Sequence, residues 1–177
     1  MSNQPEQQGA GHQYPRWKRY VNALLSAELS RITRYYDQVI QWLPRGDDRG
    51  VLMSLIDSPS KRQLSSSESF PDLTAETEKR SAVLINGTFN HSHDIQGLLL
   101  ELKAKLSRTS RVLVVLYNPY LRSLYNLANT LGLRQGELPG TFLTRTDLNN
   151  LAHLSGFSVV RERACLYCPN GVFTSLR

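Results

Sequence analysis

One stretch limits the fold more than any other: SAVLINGTFNHSHDIQGLLLELKAKLSRTSRVLVVLYNP, from Ser81 to Pro119. An apolar run, Ser81–Asn86, closes at Gly87, and a second run rich in valine and leucine spans Arg111–Tyr117. Between them Ile95, Leu98, Leu99, Leu102 and Leu106 recur at three- and four-residue spacing, which places them on one face of a helix. Two apolar strands joined through an amphipathic helix form a crossover unit. Such a unit commits the chain to a parallel sheet, because a parallel return needs a long connection.

A chain of 177 residues, 40% of them apolar, suits one domain with a full core. Residues 1–13 are rich in Gln, Gly and Asn, so a disordered polar tail is expected there, with a single α/β domain over 14–177. The polar N-terminus lacks the apolar segment of a secretory signal. The longest purely apolar run is Val112–Leu116, so no membrane span is expected. Two cysteines make no disulfide framework, which points to the cytoplasm. The net charge of +6 is uneven: residues 1–80 carry 11 Lys/Arg against 10 Asp/Glu, residues 81–177 carry 10 against 5. That excess suits an anionic partner. The basic residues are nevertheless scattered, with no regular interleaving with aromatics, so a solvated basic surface is the preferred reading and nucleic-acid binding ranks last.

Before the central unit, apolar residues keep helical spacing from Trp17 to Leu43, which predicts an N-terminal helical segment over 14–43. It is one long helix or two with a slight break, stopped by Pro44 and Gly46. Its two tryptophans and its tyrosines would cover the sheet, or bury surface against a protein partner or a second copy. PRGDDRG (44–50) reads as a turn, Val51–Ile56 as a buried strand, and the Ser/Glu/Thr-rich 61–80 as a flexible loop. After the unit, Tyr120–Leu131 is helical and Gly132 fits its stop. Thr144–Asp147 has the form of a capping box for a helix that Gly156 ends. Phe157–Arg163 then reads as a strand. The order predicts an α/β layered fold, a mostly parallel sheet with helices on both faces.

These residues form a familiar string. Thr88-Phe-Asn-His91, Asp94, Leu98–Leu106, Val112–Tyr117, Thr144, Asp147–Leu148 and Gly156-Phe157 follow the order and spacing of the C-terminal half of a known family. Over Ser81–Arg163, a little under half the chain, the sequence resembles class I S-adenosylmethionine-dependent methyltransferases. The resemblance implies a Rossmann-like fold, reduced relative to the full methyltransferase fold. The family carries a glycine-rich loop of the GxGxG kind after its first strand, where glycine lets backbone approach the cofactor. Here Gly9 and Gly11 lie in the polar tail, while Gly46 and Gly50 precede the expected strand at 51–56, so that loop is expected to be missing. A strand at 51–56 would be the family's second, and Asp57 would stand where an acidic residue meets the ribose hydroxyls.

The same resemblance assigns Asn86, Thr88 and Asn90 to the cofactor side of the loop after the Ser81–Asn86 strand. It makes His91 a candidate base and gives His93, Tyr117, Asn118 and Tyr120 to the substrate. Polar residues at the C-terminal end of a strand are a plausible site on physical grounds too. Each has a plainer reading. Asp57 can be a turn aspartate before Ser-Pro, Ser92 or Asp94 can simply cap the next helix, and the tyrosines can pack in the core. Cys165 and Cys168 have the local spacing of a zinc pair, but His91-Ser-His93 is not the usual partner spacing, and Pro169-Asn-Gly171 is a turn where a redox CxxC needs a helix. No metal is expected.

Two functions compete at this level. The first is an S-adenosylmethionine-dependent methyltransferase acting on a small-molecule or carbohydrate-like substrate. The second is a non-catalytic pseudo-methyltransferase, an interaction module that keeps the α/β half without the cofactor cradle.

Overall fold

A computed structural model describes residues 16–44, 50–65, 68–117, 119, 122–131 and 139–163. The expected tail, Gly46, Asn118, Tyr120 and both cysteines lie outside the described residues. The elements are α1 (Arg16–Thr33), β1 (Gln38–Gln41), α2 (Val51–Leu55), β2 (Lys61–Gln63), β3 (Ser81–Asn86), α3 (Ile95–Lys105), β4 (Arg111–Val115), α4 (Arg122–Thr130) and α5 (Arg145–Leu154). The four strands form one open sheet, all parallel, in the order β2-β1-β3-β4. This is an α/β, Rossmann-like fold in reduced form.

Strand alternation sorts the core into two layers. Ile40, Trp42, Val83 and Ile85 face one side, where Ile95, Leu99 and Leu102 of α3 and Leu148 and Leu151 of α5 pack on them. Val39, Ala82 and Leu84 face the other, against Leu25 and Leu29 of α1 and Leu52 and Met53 of α2. Helices therefore cover both faces, as expected. The central unit is also as expected, with β3 and β4 in parallel register from Ala82↔Arg111 to Asn86↔Val115.

The chain before β3 differs from expectation in three places. The long helix stops at Thr33, and the next element is a strand. Tyr35 and Tyr36 close a turn through bonds to Ile32 O and Thr33 O. The Asp37 N–H then donates to Arg80 O at 2.8 Å, and the Arg80 N–H returns a bond to the Asp37 carboxylate at 2.8 Å. This exchange draws Gln38–Gln41 into the sheet between β2 and β3, where Val39, Ile40 and Gln41 are buried. β-Branched Val39 and Ile40 suit a strand buried on both faces. Helical spacing of apolar residues does not separate such a strand from a helix.

The second difference is Val51–Ile56, a short helix and not a strand. Leu52, Met53 and Ile56 fall on one helical face and pack beneath α1. The third is 61–80, which contains the edge strand β2 and then packs down onto the sheet. Leu64, Phe70 and Leu73 are all buried, and Phe70 meets Trp42 edge to face at a 5.5 Å centroid distance. Its few apolar residues are enough to anchor it.

At the other end, Phe157–Arg163 adds no strand, so β4 is the sheet edge among the described residues. Polar contacts hold the segment instead. Glu162 accepts from Arg145 and Asn149 on α5, and Arg163 pairs with Glu28 on α1. α5 does open with a capping box: Thr144 Oγ1 accepts from Asp147 N, and the Asp147 carboxylate accepts from Thr144 N. No helix is long and apolar enough to cross a membrane among the described residues.

Candidate functional site

In an open parallel sheet, ligands bind beyond the carboxyl ends of the strands where the strand order reverses. Here β1 is followed through α2 by β2 on one side, and β3 is followed through α3 by β4 on the other. The reversal lies between β1 and β3. Its walls are the exits of those two strands, with the ends of β2 and β4 beyond them.

On the β1 side, Leu43 is held at φ 50°, the sole non-glycine residue with positive φ among those described. Such backbone is uncommon for a bulky side chain and is kept only where surrounding contacts enforce it. The contact here is Thr88, whose hydroxyl donates to Leu43 O at 2.9 Å. α2 begins at Gly50, also left-handed at φ 68°. A Cβ added to Gly50 would lie 2.9 Å from Gln63 Oε1, so the last side chain of β2 closes over this glycine. Just past β2, Glu68 accepts from the backbone and hydroxyl of Ser65, bonds that hold its carboxyl below the usual range.

On the β3 side, Gly87 takes φ 71° and its N–H donates to Val115 O, which turns the chain into the short 3₁₀ segment Thr88–Asn90. Asn90 is completely buried. Its Oδ1 accepts from Tyr117 N and its Nδ2 donates to Thr141 O, both at 2.9 Å. The exits of β3 and β4 and the loop before α5 are thus tied at one side chain. His91 stands edge-on to Tyr117, ring centroids 6.2 Å apart, and its Nε2 is buried with no hydrogen-bond partner among the described residues. His93 is exposed farther round the turn, and Asp94 caps α3 by accepting from Gly97 N at 2.8 Å.

The structure therefore brings together Asn86, Thr88, Asn90, His91 and Tyr117 of the expected site. It separates Asp57 from them. Asp57 follows α2 and precedes β2, at the opposite, N-terminal edge of the sheet. There its N–H is bound by Ser30 Oγ and its carbonyl by Thr33 Oγ1. Gly50, Gln63 and Leu43 were missed. The glycine-bearing segment PRGDDRG does follow a strand and precede a helix, once Gln38–Gln41 is recognised as that strand. Thr88 and Asn90 serve mainly as braces, since their side-chain polar groups are engaged with backbone. Asn86, His91, Tyr117, Gly50 and Gln63 lie at or just beyond the carboxyl ends of the strands, on either side of the point where the strand order reverses.

No protein-family model matches the chain, and no curated protein matches it significantly.

Proposed function

We propose that this chain is a reduced S-adenosylmethionine-dependent methyltransferase-like protein, with its cofactor held at the carboxyl ends of the strands, between Gly50 at the start of α2 and the Asn86–His91 turn. The observation that carries the reading is Gly50: a left-handed glycine at the start of the helix after the first strand, closed over by Gln63. The strand order supports it as well. β2-β1-β3-β4 is the central part of a doubly wound sheet, with the switch point between β1 and β3.

Two features support such a cofactor: the flexible end of the Gln63 side chain, not backbone, is what meets the Cβ position of Gly50, and His91 Nε2 is buried without a partner among the described residues. Gly50 and Gln63 would hold the nucleoside side, with Gln63 standing where the expectation placed Asp57. Asn86, His91 and Tyr117 would flank the reacting side. The cofactor, when bound, supplies an activated methyl group. His91 would accept a proton from a small-molecule or carbohydrate-like nucleophile at Nε2, while Asn90 fixes the Tyr117 backbone beside it. Catalysis would rest chiefly on alignment of the reacting atoms.

A second reading, the non-catalytic pseudo-methyltransferase, is favoured by the consumption of Thr88 and Asn90 in structural bonds. Calorimetric titration with S-adenosylmethionine and S-adenosylhomocysteine separates the two. The expected result is saturable binding that Gln63→Ala weakens and Asp57→Ala leaves alone. Absence of heat at millimolar ligand, from folded protein, would leave the interaction module as the function.

A further inference from the structure

The N-terminal edge of the sheet, opposite the carboxyl ends of the strands, holds a concavity that the methyltransferase reading does not use. Its volume is about 290 Å³, and Tyr35, Tyr36, Arg80, Arg108, Thr109, Ser110 and Arg111 line it. Its lining residue Arg80 directly precedes β3, whose five residue steps from Ser81 to Asn86 span about 16 Å at strand rise. The two sites are distinct.

Three features make it a built site. The first is charge. Arg80, Arg108 and Arg111 converge from the starts of β3 and β4, and Arg108 and Arg111 have no carboxylate partner among the described residues. The nearby acid, Asp37, is already engaged: it accepts from Arg80 N and pairs with the Arg80 guanidinium at 3.9 Å. The second is rigidity. Ser107 Oγ lies 3.0 Å from Thr109 Oγ1 and 2.8 Å from Ser110 Oγ, and Thr109 Oγ1 also reaches Lys79 O at 3.0 Å. The turn that presents Arg108 and Arg111 is thereby pinned to the chain entering β3. The third is the aromatic wall. Tyr36 is anchored against the α1 layer of the core, and Arg34 stacks over the Tyr35 ring at 4.9 Å while donating to its hydroxyl.

We propose that this concavity binds a phosphorylated small molecule, its phosphate held by Arg108 and Arg111 and its body lying against Tyr35 and Tyr36. Guanidinium groups offer paired donors that match phosphate oxygens, and two such groups without a counter-ion leave a positive potential for an anion to fill. A volume near 290 Å³ is at the lower limit of small-ligand pockets, room for a phosphate with a small attached body. The proposal stands independently of the methyltransferase reading.

The test is calorimetric titration of the full chain with pyrophosphate and with ADP, and a parallel titration with a single-stranded oligonucleotide. Saturable binding of ADP or pyrophosphate is expected, weakened about tenfold or more by Arg108→Gln/Arg111→Gln through loss of charge-assisted bonds. Gln63→Ala should leave it unchanged. Both arginines are exposed, so the double variant should melt where the wild type does. Arg108→Gln alone serves if it does not. Absence of saturable binding of either probe, or equal affinity in wild type and variant, would overturn the proposal. Tighter binding of the oligonucleotide than of ADP would overturn it in favour of a nucleic-acid surface.

Discussion

The Tyr117 N–H donates to Asn90 Oδ1 at 2.9 Å, so a wholly buried side chain on the β3 exit fixes the backbone leaving β4. The other end of the same amide binds Thr141 O. Replacing Asn90 by Ala removes the partners of a backbone N–H and a backbone carbonyl together, at a cost of about 2–3 kcal/mol. Asn90→Asp should be at least as harmful, because an ionised oxygen would then face the Thr141 carbonyl. Urea unfolding measures both. If Asn90→Asp matched the wild type, the clamp would not exist as described.

Gly50 sets a second expectation. Its φ of 68° strains any residue with a Cβ, and Gly50→Ala should cost about 1–2 kcal/mol. The close approach to Gln63 adds little, since the atom met is the far end of a flexible side chain. Combining Gly50→Ala with Gln63→Ala should therefore not restore the melting temperature. Full restoration would show that the contact, and not the backbone, makes glycine necessary.

Leu102 on α3 is wholly buried in the layer that α3 and α5 form over the sheet. Leu102→Ala should lose about 2–5 kcal/mol through transfer and cavity terms. Leu127 on α4 is 55% exposed, and its substitution by Ala should stay within about 0.5 kcal/mol. Equal effects in denaturant titrations would contradict the layer assignment.

The capping box at α5 gives a pH dependence with a definite sign. Bonds from the Thr144 hydroxyl, and then the Thr144 N–H, hold the Asp147 carboxyl below its ordinary value. A depressed folded-state pKa means the contribution is complete above the unfolded pKa and disappears as pH falls through the folded one. The stability gap between wild type and Asp147→Ala should be steady above about pH 5 and close at lower pH. Thr144→Ala should cost about 1 kcal/mol at neutral pH. A gap that widened on acidification would reverse the assignment. Glu162, depressed first by Asn149 and then by Arg145, should respond with the same sign.

What could be read from the sequence was local. The helical spacing of Ile95 to Leu106, flanked by two apolar runs, specifies β3-α3-β4 within one continuous stretch, and the Thr144–Asp147 spacing specifies its cap. The turn after β3 was legible as a polar cluster at a strand end, which is where Asn86 and His91 stand. Gln38–Gln41 and Val51–Ile56 were not legible in this way. Each holds neighbouring apolar residues that a helix and a buried strand can both accommodate. The choice was made by partners distant in sequence: Arg80 claims the Asp37 backbone, β2 and β3 enclose β1, and α1 packs down on Leu52 and Met53. From that choice came the placement of Gly50 and Gln63 at the carboxyl-end side of the sheet and the removal of Asp57 to the far edge. Periodicity within a segment determines which face is apolar, but only the tertiary structure, by satisfying backbone hydrogen bonds between strands, decides which segments become strands.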